Sequence, residues 1–382
     1  MRKQRWLGAS AALVSLILVL AACSTPGTSA GESAAESAAG SAGGSVAPAG
    51  FKACQVTDTG GVDDKGFNQN AYEGLLRAED ELGVEISLLE STADTDYAPN
   101  LATFTDQGCD LIITVGFLLG AATQASAATN PDQLYTIVDF AYDPPPPNIL
   151  GLVFDTKSAS MLQGYLAAGM SKTGTVGTFG GIQIGPVVDF MNGFSAGVNY
   201  YNEEKGTDVK VLGWDPATQT GTFTGDFDDL DKGRVTAEGL MQEGADIIFP
   251  VAGPVGQGAM AAVKDNPSGL DRPLFIGVDV DQYISVPGFE TIFLSSVLKR
   301  MDNAVFDAIE TAMGLDGSTA WPETLYVGTL ANEGVGMASF HDLDGEVSQE
   351  LKDEIAALQA ALIDESVKAD DFSGAPPPSP AP

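Results

Sequence analysis

From Phe51 onward, apolar and polar positions follow two alternating rhythms. Short, almost unbroken apolar runs are separated by longer segments in which apolar residues recur every three or four positions. The runs read as strands buried on both faces and the longer segments as amphipathic helices, so their alternation predicts a parallel α/β sheet. Strands are predicted over residues 51–57, 84–89, 110–115 and 134–139. After a proline-rich turn at 143–147, four more follow at 175–179, 209–212, 246–251 and 274–279. Helices are predicted over 67–82, 97–106, 118–128, 159–170, 187–202, 232–243 and 255–264. The first of them carries Ala71, Leu75, Ala78 and Leu82 on one face and stops at Gly83. Segments 292–299, 301–313, 325–328 and 347–363 are left to cross between the halves and complete them.

The pattern repeats. Gly108-Cys109-Asp110-Leu111-Ile112-Ile113 is matched by Gly244-Ala245-Asp246-Ile247-Ile248-Phe249, and the run Leu134 to Asp139 by Leu274 to Asp279. Phe67 with Gly74 is matched by Phe190 with Gly197. Three matches in one order point to two similar α/β lobes facing each other across a cleft. In such sheets ligands meet the carboxyl ends of strands. Asp58, Gly116-Phe117, Asp139, the stretch 249–253 and Asp279 all sit there. The stretch Val56 to Gln69, V-T-D-T-G-G-V-D-D-K-G-F-N-Q, is the most distinctive of these edges: a strand that stops, an acidic glycine-broken turn and a helix that starts.

The chain has 382 residues and a formal net charge of -34, from 52 acidic and 18 basic side chains. That excess argues against a nucleic-acid partner, which needs a basic face. One histidine leaves little for acid–base catalysis or a His-ligated zinc; no catalytic residue, metal or cofactor is expected. Residues 1–22 read as a signal peptide, with Arg2, Lys3 and Arg5 ahead of an apolar run too short to span a membrane. The run ends in Leu20-Ala21-Ala22-Cys23, which resembles a bacterial lipobox, and that resemblance implies lipidation at Cys23. Residues 23–50, mostly Ala, Gly and Ser, read as a tether, and 367–382 as a proline-rich tail. Lobe 1 is expected over 51–155 plus about 280–305, and lobe 2 over 156–279 plus about 306–366. Cys54, on the first predicted strand, and Cys109, just before the third, which would be its neighbour, can form a disulfide or remain two buried thiols.

Taken singly, the residues at the strand ends leave alternatives open. Asp58 can be a turn acid, Phe67 a helix-start residue, Phe249 a core residue, and Asp63 and Asp64 helix-entry charges. Taken together, T-D-T-G-G-V-D-D-K-G-F-N-Q at 57–69 resembles the opening motif of the basic membrane protein family. F-D with Q-G-Y in 154–165, F-P-V-A-G-P-V-G-Q-G at 249–258, G-V-D-V-D-Q at 277–282 and S-V-L-K-R-M-D at 296–302 are similar in the same order. The resemblance covers about residues 51–365. It implies a two-lobed type I periplasmic-binding-protein fold, each lobe a doubly wound parallel sheet. The implied function is that of a monomeric, lipid-anchored receptor outside the cytoplasmic membrane, which captures a purine or other nucleoside for the permease and ATPase of an ABC importer. Carried onto matching positions, it places Asp58 and Asn68 on the base edge, with Asp139 facing the same opening, and puts the base between Phe67 and Phe249. Asp279 takes the ribose hydroxyls, with Lys299 donating to the sugar or pairing with Asp279, and Gly253 lets the backbone approach the sugar. Gly253-Pro254 departs from the paired glycines common there. A sugar or signal-molecule receptor on the same fold is the alternative. The acidic turn also has some likeness to the calcium-binding opening of nucleoside hydrolases, but the proline and doubled Asp spacing of that motif are absent.

Overall fold

The computed structural model describes residues 50–376; the leader, Cys23, the tether up to residue 49 and the last six residues lie outside it. The chain enters at β1 (Lys52–Thr57), buried from its second residue on, and reaches α1 (Phe67–Leu82) through the acidic turn. It continues through β2 (Glu85–Leu89), α2 (Tyr97–Asp106), β3 (Leu111–Val115), α3 (Gly120–Thr129), β4 (Leu134–Val138) and β5 (Ile149–Phe154). Then come α4 (Thr156–Met170), β6 (Thr175–Gly180), α5 (Gly185–Lys205), β7 (Lys210–Leu212) and a small hairpin of β8 (Trp214–Asp215) and β9 (Thr220–Gly221). The second half is completed by α6 (Leu230–Gln242), β10 (Ile247–Val251), α7 (Val255–Asp265), β11 (Leu274–Gly277), α8 (Gln282–Ser285) and β12 (Phe293–Lys299). The last elements are α9 (Met301–Met313), β13 (Leu325–Gly328), β14 (Val335–Met337), α10 (Gln349–Ile363) and α11 (Ala369–Ser373).

Two six-stranded sheets result, in the orders β2-β1-β3-β4-β5-β13 and β7-β6-β10-β11-β12-β14. Numbered from the start of each half, the two orders are the same, so the repeat in the sequence is a repeat of topology. Only the last strands differ: β13 pairs parallel with β5, and β14 antiparallel with β12. In each half the fifth strand hands its helix to the other lobe. After β5 the chain crosses to α4, which packs on α5; after β12 it crosses back to α9, which packs on α1. Glycine makes both helix pairs close. A Cβ at Gly74 would lie 2.4 Å from the Asp302 carbonyl, and one at Gly197 would lie 2.0 Å from that of Met161. These are the glycines the repeat had aligned.

The chain therefore crosses between lobes around residues 154–155, 299–300 and 328–335, and the expected division of the C-terminal third is corrected. β12 belongs to the second sheet, because it extends the parallel order next to β11. Helix α9 and strand β13 belong to the first lobe. The expected tail also begins too early. Helix α11 packs on α5, with Phe372 edge-on to Tyr200 and Asp370 paired with Lys157 at 2.8 Å. Cys54 and Cys109 are disulfide-bonded, with Cα atoms 6.1 Å apart, tying β1 to the entry of β3.

Candidate ligand-binding cleft

The carboxyl ends of β1, β3 and β4 face those of β6, β10 and β11 across a cavity with about 590 Å³ of empty space, part of it open to solvent. Its polar groups come from residues just past strands. Asp58 follows β1, Asp139 follows β4 and Asp279 follows β11, while Lys299 ends β12. Asp139 and Asp279 hold left-handed backbones with φ of 68° and 69°, so the two lobes turn their equivalent aspartates into the cleft with the same local geometry.

Asp64 shapes the first lobe's wall. Its carboxylate accepts from the backbone N–H groups of Gly66, Asn68 and Gln69 at 2.9, 2.8 and 3.1 Å, satisfying the orphan donors at the start of α1. That is the helix-entry role expected for this acid, and it sets Phe67 and Asn68 at the cavity. Asn68 donates its amide to Asp58 at 3.0 Å, while its own Oδ1 is buried without a partner. Gly116 leaves Asp58 its room: a Cβ there would sit 2.2 Å from the Asp58 carboxylate, and φ at Gly116 is 120°.

Four carboxylates, Asp58, Asp64, Asp139 and Asp279, line the cavity with one cation, Lys299. Lys299 is 1 % exposed and its ammonium pairs with Asp139 at 2.5 Å rather than with Asp279, one of its two expected roles; its backbone N–H donates to the main-chain carbonyl of Asp279 at 2.8 Å. Its ammonium also lies 4.8 Å from the centre of the Phe67 ring, within cation–π range. Burial pushes the Asp58 carboxyl up to about 8, against the pull of the Asn68 amide, with Asp64 and Asp139 adding to the rise. Burial likewise lifts Asp279 to about 7, with Lys299 opposing.

The apolar walls are aromatic on both sides. Phe67 and Phe117 come from the first lobe, Phe190 and Phe227 from the second, and Ile184, Pro186, Val187 and Val251 fill between them. The structure thus brings together Asp58, Phe67, Asn68, Asp139, Gly253, Asp279 and Lys299 at one cavity and leaves out Phe249. Phe249 is fully buried, stacked on Phe194 at 4.9 Å, with Phe190 at 6.4 Å from it. Strand alternation explains the correction: Val251, two residues on and on the same face, reaches the cavity, and Phe249 lies one layer deeper. The missed Phe190 was already marked by its alignment with Phe67. Phe117 stood at a strand end, and Phe227, on a loop outside the repeat, carried no signal.

The family model for ABC transporter substrate-binding proteins of the PnrA-like kind matches residues 51–370. The chain belongs to that family. Among its PnrA-like relatives, basic membrane protein A of Borreliella burgdorferi is 33% identical over 81% of this chain and 84% of that one. The ABC transporter nucleoside-binding protein BmpA of Lactococcus lactis is 29% identical over 95% and 97% of the two chains. An uncharacterised lipoprotein of Pyrococcus abyssi is 34% identical over 77% and 70%. An ABC transporter solute-binding protein from Aeropyrum pernix superposes with a TM-score of 0.73 at 26% identity, covering 83% of this chain and 92% of that one. The type I periplasmic-binding-protein fold expected from the sequence is therefore the fold observed. The protein is a substrate-binding component of an ABC transporter, a role of capture rather than catalysis, exercised outside the cytoplasm.

Proposed function

We propose that the cleft captures a purine nucleoside, and that the protein, lipid-anchored through Cys23, presents it to the permease of an ABC importer. The observation that carries this reading is the division of chemistry inside the cavity. Aromatic rings from both lobes line the cavity, and Asp58 and Asp279, from opposite lobes, bring acceptors to it. A nucleoside answers both: an aromatic base with N–H groups on its edge, joined to a sugar with vicinal hydroxyls. With Phe249 in the core, the ring facing Phe67 comes from Phe190 or Phe227. Asn68, with its amide held by Asp58 and its carbonyl oxygen free, adds one more acceptor. A site lined by four carboxylates against one already paired lysine disfavours phosphorylated forms of the same ligand. The name of the Lactococcus lactis relative agrees with the reading, as do the relatives named lipoproteins with the anchor at Cys23.

Thermal-shift measurements and titration calorimetry with guanosine, inosine, adenosine, their 5′-monophosphates and a panel of hexoses test it. The nucleosides raise the melting temperature by mass action and the monophosphates do not. A shift with a hexose and none with any nucleoside would replace the nucleoside by a sugar.

A further inference from the structure

Two polar contacts cross the mouth of the cleft without entering the cavity. The turn at residues 63–66 presents two consecutive backbone carbonyls to the second lobe. The Asp64 carbonyl accepts from Nε2 of Gln257 at 3.0 Å, and the Lys65 carbonyl accepts from Oγ of Ser285 at 2.8 Å. Lys65 holds a φ of 61°, a conformation that a side-chain-bearing residue adopts at some cost. Neither Gln257 nor Ser285 lines the cavity. Each is nevertheless fixed to its wall. Gln257 lies in the first turn of α7, just past Gly253 and Pro254, and Ser285 ends α8, just past Asp279. On the other side, the Asp64 carboxylate caps the helix that carries Phe67 and Asn68. One short turn thus holds the ligand-facing start of α1 and receives both donors from the opposite lobe.

We propose that Gln257 and Ser285 are positioning residues that set ligand affinity by holding the cleft shut, without touching the ligand. When the lobes part, both bonds are lost to water, so each contributes only the small net preference of a protein hydrogen bond over a hydrated one. That preference enters the balance between open and closed forms, and apparent affinity scales with the closed fraction. Because the contribution lies outside the cavity, it is the same for every ligand the cavity accepts. The proposal rests on the cleft being the ligand site but not on the ligand being a nucleoside.

The test compares the wild-type protein with Gln257→Ala, Ser285→Ala and Ser285→Thr. Calorimetry and stopped-flow dissociation are run with guanosine, inosine and adenosine, and small-angle scattering on the ligand-free protein. Each alanine variant is expected to weaken all three nucleosides by the same factor, about 3–10-fold, mainly through faster dissociation, and to enlarge the ligand-free radius of gyration. Ser285→Thr, which keeps the hydroxyl, restores both. Unchanged affinities overturn the proposal, as does a loss that differs among nucleosides, which would mean contact with the ligand. If the wild type binds none of the three, the ligand assignment fails, and scattering decides the latch alone: equal radii for wild type and alanine variants overturn it.

Discussion

Asp58 follows a strand that is buried from its second residue on, and its carboxyl has the Asn68 amide as its hydrogen-bond partner. The cation of the cavity, Lys299, is already held by Asp139. Loss of water therefore dominates and lifts the carboxyl from an ordinary 3.8 to about 8. The sign of the consequence follows. The folded, ligand-free protein holds this proton where the unfolded chain has lost it, so stability is greatest below pH 4 as far as this group is concerned and falls as pH rises towards 8. Asp279, lifted to about 7, contributes in the same direction. Urea titrations of ligand-free protein between pH 5 and 8 should show that decline, with a limit of about 1.4 kcal/mol per pH unit for each group. Asp58→Asn should remove the Asp58 share of that decline and leave the share of Asp279, while abolishing nucleoside binding. A slope unchanged in Asp58→Asn would mean that the carboxyl is ionised throughout. At this scale the sequence marked Asp58, Asn68 and Asp279 as site residues, but not that Lys299 pairs with Asp139, because ion-pair choice depends on a fraction of an ångström between lobes.

At the scale of elements, the start of α1 and the end of β10 show where a linear pattern reaches its limit. Phe67 opens α1 and Phe249 stands near the end of β10, both in motifs that resemble the family's, yet one faces the cavity and the other packs on Phe194. Which of two same-face strand residues reaches a cleft depends on where the sheet stops, and that is set by neighbouring strands. The difference is measurable. Phe67→Ala should weaken nucleoside binding by about 5–150-fold, the equivalent of about 1–3 kcal/mol of base stacking, with little change in melting temperature. Phe249→Ala should destabilise the fold by about 3–5 kcal/mol through a core cavity. A normal melting temperature with lost binding in Phe249→Ala would return that ring to the site. The alternation of strand and helix was legible because buried parallel strands need apolar side chains on both faces. The helices after β1 and β6 were legible as equivalents because each needs a glycine where another helix touches its backbone, at Gly74 and Gly197.

At the scale of the whole molecule, the described residues form two lobes of one topology, joined by three crossings and bridged by a turn at the cleft mouth, with one covalent staple in the first lobe. The disulfide spans a sequence separation of 55 and lies away from the cavity. Reducing it should lower stability by about 2–4 kcal/mol, read from urea midpoints with and without reductant, while leaving ligand affinity unchanged. A change in affinity would mean that the staple positions Asp58 through β1.

Periodicity determined the α/β class, the matched segments marked the duplication, and the two together directed attention to strand ends as the candidate site, since each follows from which positions must be apolar or free of a side chain. The opening motif then pointed to the family. The tertiary structure alone decided the exchange of α4 and α9 between lobes, the membership of β12 and β13, the burial of Phe249 behind Phe190, and the pairing of Lys299 with Asp139. Each of these depends on distances between segments far apart in the chain, and no local pattern of residues encodes such distances.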